Sequence, residues 1–435
     1  MNPITLAIAA IAVFLVLIFL GMNIGLALTL VGTVGYALAV TPGAALGLLR
    51  SLPASQAGSY ALMVIPMFII MGNFAFEAGL SRGLYEACNK WLSRLPGNLA
   101  CGTIAACAGF GAICGSSAAT AATMGTIAVP AMRQYGYADQ LATGSVAMGG
   151  TLGVMIPPST IFVVYAVVAE ESVGQLFAAG IIPGLILTVL CIFTVVILVT
   201  TNKKLAPPPQ KTPWKDRFLS LGGLIPVVIL FGVVLGGMFS GWFTVNQASA
   251  IGAAVACVIT IIRKKFTWTT FKKVMATSVQ TSAMTFLIMV GAAVFVTFLN
   301  ITGFPKMLAT SIAALTVSKY IIILLMTFIY LLIGMIMDEL PAIIMTVPIF
   351  LPIVESLGYD PIWFGVYIVL NCELGAISPP VGLTCFILSG IAKDVPLGTI
   401  FRGAMPFAAT VFLMIALISV FPQIATFLPN LLFSR

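Results

Sequence analysis

The chain has 435 residues, 60% of them hydrophobic and only 7% charged, with a mean hydropathy of +1.15. Soluble domains carry about 25% charged residues, so a water-soluble fold is excluded and an all-α polytopic membrane protein is expected. The net charge of +8 calls for no nucleic acid as partner, because the placement of Lys and Arg around membrane segments accounts for it.

Taken in chain order, the first half offers spans near 4–20, 22–41 and 60–76 and a segment 98–134 interrupted at Gly115. A long segment 138–169, interrupted by Gly149-Gly150 and Pro157-Pro158, and a span 179–201 follow. Several of these runs approach the ~20 residues that cross a hydrocarbon core at 1.5 Å per residue. The first lacks a basic leader and an obvious cleavage site, so it reads as a retained span and not a signal peptide. "NKKLAPPPQKTPWKDR" (202–217) is a Pro-rich basic linker of the kind that stays outside the bilayer. The second half offers 218–238, 244–262, 276–300, an interrupted 320–356, a segment 361–390 broken by Pro379-Pro380, and 402–425. Such continuous apolar runs are not the alternating strands of an outer-membrane barrel.

The eight cysteines show no metal-type spacing and read as packing residues, and there is no histidine. Without His, a metal cluster or a nucleophile beside a base, an enzyme is not expected, and neither catalytic residues nor a cofactor is assigned.

Sliding the chain by 222 residues aligns Pro130 with Pro352, Gly136-Tyr137 with Gly358-Tyr359, Leu152-Gly153 with Leu374-Gly375, and Pro157-Pro158 with Pro379-Pro380. A constant shift across four landmarks marks a duplication. It sets Gly115-Ser116-Ser117 opposite Met337-Asp338-Glu339. The linker basics (Lys203, Lys204, Lys211, Lys215, Arg217) and the cluster 263–273 place both loops in the cytoplasm. If each interrupted segment is a re-entrant hairpin, Arg82, Lys90, Arg94, Arg133, Lys393 and Arg402 join them. Only Arg50, Lys306, Lys319 and Arg435 of the 20 basic residues then lie outside. Each half crosses five times, so the halves are two inverted-topology repeats, each with a re-entrant hairpin and a broken transmembrane helix, the design of secondary transporters.

At a hairpin tip the backbone stops being helical, and its carbonyls lose their partners and can coordinate a cation. Gly115 suits the turn, while Ser116 and Ser117 add hydroxyl oxygens. The plainer alternative, a close helix-packing face of small residues, loses ground to the duplicated partner and the broken segment "GGTLGVMIPPS". Gly150, Thr151 and Gly153 precede the first proline pair, and Asn371, Gly375 and Ser378 the second. Pro157, Pro158, Pro379 and Pro380 break their helices. Oxygen ligands without an acidic cage suit a monovalent cation, sodium being the usual candidate. Asp338, Glu339 and Glu373 are acids at membrane depth, a functional hypothesis by default. Asp338 could instead cap a helix starting near Leu340-Pro341, and Glu373 could be protonated or turned to a cavity. No basic residue is expected near the midplane, which leaves helix N-termini and hydroxyls to hold an anion.

"IPMFIIMGNF" (65–74), "GSSAATAATMGTIAVPAM" (115–132), "MGGTLGVMIPPS" (148–159), "DELPAIIMTVPIFLPI" (338–353) and "VLNCELGAISPPVGL" (369–383) together resemble the large membrane subunit of tripartite ATP-independent periplasmic (TRAP) transporters. The resemblance covers nearly the whole chain. It implies a sodium-driven, elevator-type importer of organic acids (carboxylates) in the bacterial inner membrane. It also implies a small four-helix membrane subunit and a periplasmic substrate-binding protein as partners. Because the chain begins at the first large-subunit span, the small subunit is expected as a separate polypeptide. Carried over by motif, one sodium site comprises Gly115, Ser116, Ser117, Gly150, Thr151 and Gly153. The other comprises Asp338, Asn371, Glu373 and Gly375, and substrate lies between the tips near Ser116, Ser117, Thr151, Asn371 and Ser378. Residues 1–97 and 218–319 are then scaffold helices, 98–201 and 320–435 the two transport-domain halves, and 202–217 the cytoplasmic linker. A stand-alone sodium- or proton-coupled anion symporter of related architecture is the competing expectation, differing in partners.

Overall fold

Small polar residues set where the first helices begin. Asn2, Asn23 and Thr41 each accept a backbone N–H from the first turn that follows them, filling orphan donors that lipid cannot satisfy. The computed structural model describes residues 2–209, 212–313 and 317–433, and every regular element among them is a helix. Lys211 and Arg435, two of the basic residues used for the topology, lie outside the described residues.

The first half contains α1 (Pro3–Phe19), α2 (Ile24–Ala39), α3 (Pro42–Ala57), α4 (Val64–Glu77), α5 (Leu80–Trp91), α6 (Asn98–Cys114), α7 (Ser117–Gln134), α8 (Asp139–Met155), α9 (Thr160–Ala169) and α10 (Val173–Thr201). The second contains α11 (Trp214–Ser220), α12 (Ile225–Phe231), α13 (Gly237–Phe239), α14 (Val245–Ile262), α15 (Trp268–Thr302), α16 (Phe304–Ala313), α17 (Lys319–Ile336), α18 (Glu339–Ser356), α19 (Pro361–Ala376), α20 (Leu383–Ile391), α21 (Leu397–Val420) and α22 (Gln423–Phe433). Among the described residues, seven helices are long and apolar enough to cross a membrane, or up to nine if each of two bent pairs is one span. The chain is thus a multi-pass helical membrane protein.

Several boundaries differ from the sequence expectation, each for a physical reason. Gly149 and Gly150 do not interrupt their segment: α8 runs unbroken to Met155, and the chain bends by 47° only across the Pro157-Pro158 stretch into α9. Those two glycines meet neighbours instead, since an added Cβ would stand 2.7 Å from Cys107 and 2.7 Å from Ala121. The segment near 218–238 starts earlier, at Trp214, and bends by 48° before Ile225. The span expected at 179–201 starts at Val173, where Ser172 caps it, and the one expected at 402–425 is split by Pro422 into α21 and α22. The short helices α3, α5 and α16 were not expected at all.

Close approach of small residues fixes the helix crossings. On α2, a Cβ at Gly25 would stand 2.9 Å from the Leu287 backbone and one at Gly32 2.8 Å from that of Phe295, which seats α2 on α15. By the same 222-residue offset, α4 packs on α14. The interrupted segments sit against the broken helices, α6 and α7 on α8, and α17 and α18 on α19. Across the halves, α9 packs on α18 and α20 on α7. The cysteines are buried or half-buried and unpaired among the described residues.

Candidate functional site

Hairpin 1 turns at Gly115, whose φ of +64° is a left-handed value that glycine adopts without strain. Its N–H donates to the Gly111 carbonyl at 2.7 Å, closing α6. Ser116 is extended and its Oγ accepts the Ala119 N–H at 3.3 Å, starting α7 at Ser117. The Gly115 carbonyl does not stay orphaned, because Thr160 Oγ1 donates to it at 2.8 Å.

Hairpin 2 turns at Met337 and Asp338, both extended, and α18 starts at Glu339. Asp338 holds the N-cap position, but its carboxylate makes no capping hydrogen bond, and the helix starts one residue before the Leu340-Pro341 expected from sequence. Glu339 is 4% exposed and its Oε1 has no hydrogen-bond partner. Its carboxyl has the Asp338 carboxyl and the Ser117 hydroxyl as polar neighbours, so the two tips touch.

Between them opens a cavity of about 210 Å³. Hairpin 1 contributes Gly115 and Ser116, hairpin 2 contributes Asp338 and Glu339, and α9 contributes Thr160. The far wall is Asn73 on α4 and Thr277, Thr281 and Thr285 on α15, with Asn73 Nδ2 donating to Ser278 Oγ at 2.8 Å to tie those two helices. Among the described residues no Lys or Arg lines it. The arrangement therefore offers hydroxyls, two carboxyls and the N-terminal ends of α7 and α18, which favour negative charge.

The remaining residues singled out from sequence stand behind the tips and do not line this cavity. Gly150 packs on Ala121, and Gly153 on Gly111. Thr151 is buried with its hydroxyl donated to the Met148 carbonyl of its own helix at 2.9 Å. Gly375 packs on Gly334, the counterpart of the Gly111–Gly153 contact. Ser378 Oγ donates to the Leu374 carbonyl at 2.6 Å, and Asn371 Nδ2 to the Tyr367 carbonyl at 2.7 Å, leaving Asn371 Oδ1 without a partner. Glu373 is fully buried, its oxygens are unpartnered, and it lies near Cys191 of α10. Pro157, Pro158, Pro379 and Pro380 occupy the two breaks, which end α8 and α19.

Thr160, Asn73 and the α15 hydroxyls were missed. A signal existed: Thr277, Thr281 and Thr285 recur every four residues along α15, which puts them on one face. Among the described residues no group of three or more His, Cys, Asp and Glu side chains could hold a metal ion.

Comparison with known proteins agrees with this architecture. In fold, the chain is similar to the Alcanivorax borkumensis YdaH transporter, with a TM-score of 0.61 at 18% identity over 87% of this chain and 89% of that one. In sequence it is 30% identical over 425 residues to the sialic acid TRAP transporter large permease protein SiaM of Vibrio cholerae, covering 95% of this chain and 96% of the relative. It is 33% identical over 372 residues to the C4-dicarboxylate TRAP transporter large permease protein DctM of Pseudomonas aeruginosa, covering 85% and 86%. Those relatives are permeases and not enzymes. With residues 11–424 matching the model described as tripartite ATP-independent periplasmic transporter, DctM component, the chain belongs to that family, as its large permease subunit.

Proposed function

We propose that this chain is the translocating subunit of a sodium-coupled secondary transporter in the bacterial inner membrane, importing an organic acid delivered by a periplasmic binding protein. The named relatives carry C4-dicarboxylates and sialic acid, and carboxylates are the substrate class taken over here. The observation that carries the reading is the cavity between the tips, where Asp338 and Glu339 share a space with Ser116 and Thr160 and, among the described residues, no fixed cation lines the wall. A carboxylate bound beside two ionised acids needs positive charge to enter with it. Mobile cations supply that charge, and the buried oxygens left without partners, Glu339 Oε1 and Asn371 Oδ1, are hard donors of the kind sodium takes.

In this reading residues 98–201 and 320–435 form the transport domain and carry the two tips past the scaffold of 1–97 and 218–319, which supplies the facing wall with Asn73 and the α15 threonines. Residues 202–217 are the cytoplasmic linker, and the halves have inverted orientation. Sodium site 1 is formed by Gly115, Ser116 and Ser117 backed by Gly150 to Gly153, and site 2 by Asp338 with Asn371, Glu373 and Gly375. A small four-helix membrane subunit completes the assembly.

The test is uptake of a labelled C4-dicarboxylate or sialic acid into liposomes holding this chain and its small subunit. Uptake is expected only with an inward sodium gradient and the binding protein present, and Ser116→Ala with Ser117→Ala is expected to reduce it at least about tenfold while the protein stays folded. Uptake with neither sodium nor binding protein would overturn the reading in favour of a carrier working alone.

A further inference from the structure

The two hairpins follow one plan but are held differently, and the 222-residue offset locates each difference. Hairpin 1 is tied at both ends. At its tip, Thr160 Oγ1 holds the Gly115 carbonyl at 2.8 Å, and Ser116 caps α7. At its mouth, Arg133 in the last turn of α7 donates Nε to Asp139 at 2.6 Å and a terminal N–H to Asp394, 2.8 Å from one oxygen and 3.1 Å from the other. One guanidinium thus joins the exit of hairpin 1, the start of α8 and the loop between α20 and α21. A planar guanidinium hydrogen-bonded to two carboxylates is the charge arrangement that holds geometry best at a wet surface.

At the offset positions in hairpin 2 each tie is missing. Thr160 corresponds to Gly382, which has no hydroxyl, and Ser116 to Asp338, which makes no capping bond. Arg133 corresponds to Glu355 and Asp139 to Pro361. That mouth brings Glu171, Asp360 and Glu355 within electrostatic reach of one another, and burial first, then Asp360 and Glu355, pushes the Glu171 carboxyl above its usual range. Lys319 lies over the Tyr359 ring, 4.9 Å from its centroid, and makes no ion pair with them among the described residues. Within the second leg, α18 carries Pro348 where α7 has Thr126, which removes the backbone donor to Ile344 and loosens the helix there. The first legs are alike, since Gly111 on Gly153 and Gly334 on Gly375 seat both against their broken helices.

From this we infer that, within the proposed transport domain, hairpin 1 is the rigid wall of the cavity and hairpin 2, through its tip and α18, the part that moves locally to admit the ligand, with Arg133 and Thr160 as the positioning residues that set the difference. The inference rests on the reading of the inter-tip cavity as the ligand site, but its test does not use transport. Hydrogen–deuterium exchange on the full chain in nanodiscs, in choline and then in sodium buffer, reads local opening directly. In choline, peptides covering 336–343 are expected to exchange about tenfold faster than those covering 114–121. Arg133→Gln is expected to raise exchange at 114–121 several-fold without changing 336–343. Thr160→Val, which keeps shape and loses the hydroxyl, is expected to do the same should Arg133→Gln fold poorly. Glu355→Arg, which supplies the missing cation beside Asp360 and Glu171, is expected to slow exchange at 336–343. Equal protection of the two tips in the unsubstituted chain, or no change at 114–121 in a folded Thr160→Val variant, would overturn the inference. Failure of sodium-driven uptake would leave these rates as they are, so the two readings fail separately.

Discussion

A methyl group added at Gly153 would stand 2.1 Å from the Gly111 Cα, and one added at Gly375 2.5 Å from that of Gly334. Backbone cannot yield by that much, so Gly153→Ala is expected to cost about 1–3 kcal/mol and lower the thermal midpoint of the purified protein. Gly222→Ala, where nothing lies within 4 Å, is the control and is expected to leave the midpoint within a degree or two, as exposed substitutions usually do. The comparison explains what sequence can and cannot say about glycine. Gly115 was legible as a turn, since two hydroxyl residues follow it and a matched echo lies in the second half. Gly149, Gly150 and Gly153 carry the same letter for a different reason, close approach, and nothing local in sequence separates the two uses. Hydroxyls share the ambiguity: Thr151 spends its donor on its own helix, while Thr160 reaches 45 residues back to the tip. Which of these a threonine does depends on its face, and so on packing.

Among elements, the proline pairs were the clearest signals, because a residue without an amide donor ends a helix whatever its surroundings. Both breaks lie where the pairs stand. The short helices α3, α5 and α16 escaped notice for the opposite reason. A search for runs long enough to cross lipid passes over an amphipathic helix such as α5, which buries Leu80, Leu84 and Ala87 and leaves its polar face open. The Arg133 clasp was also invisible, since Asp394 lies 261 residues away. It carries a pH signature. The hydrogen bond from Arg133 holds the Asp394 carboxyl below its usual value, so its stabilisation is present above the ordinary carboxylate pKa, about 4, and is lost as pH falls through the lowered one. Asp394→Asn is therefore expected to lower the thermal midpoint at neutral pH, and the gap to the unsubstituted protein is expected to close below about pH 4. A gap that stays constant with pH would detach Asp394 from the clasp. At the other mouth the sign reverses. Glu171, pushed up by burial and its acidic neighbours, favours the folded state at pH below its ordinary range and loses that contribution as pH rises through its raised value.

For the whole molecule, composition alone excluded a soluble fold, and the constant offset between halves located both hairpins and both breaks. What neither could supply was the wall that faces them: the cavity takes Asn73 and the α15 threonines from helices that were read as plain spans. Single cysteines at 116 and 338, in a background with the eight native cysteines replaced, are expected to change in reactivity in opposite senses when the protein is shifted between inward- and outward-facing states. A maleimide labelling series reads this, and equal labelling at both positions in both states would argue against alternating access at the tips.

The acidic lining, free of Lys and Arg among the described residues, has a consequence for affinity. A pocket that lends an anion no fixed positive charge makes its affinity conditional on what else is bound, and by linkage the ion's affinity is equally conditional on the anion. Under the proposed sodium coupling, release into a compartment poor in sodium needs no change in how the acid is gripped, because losing the ion weakens the grip.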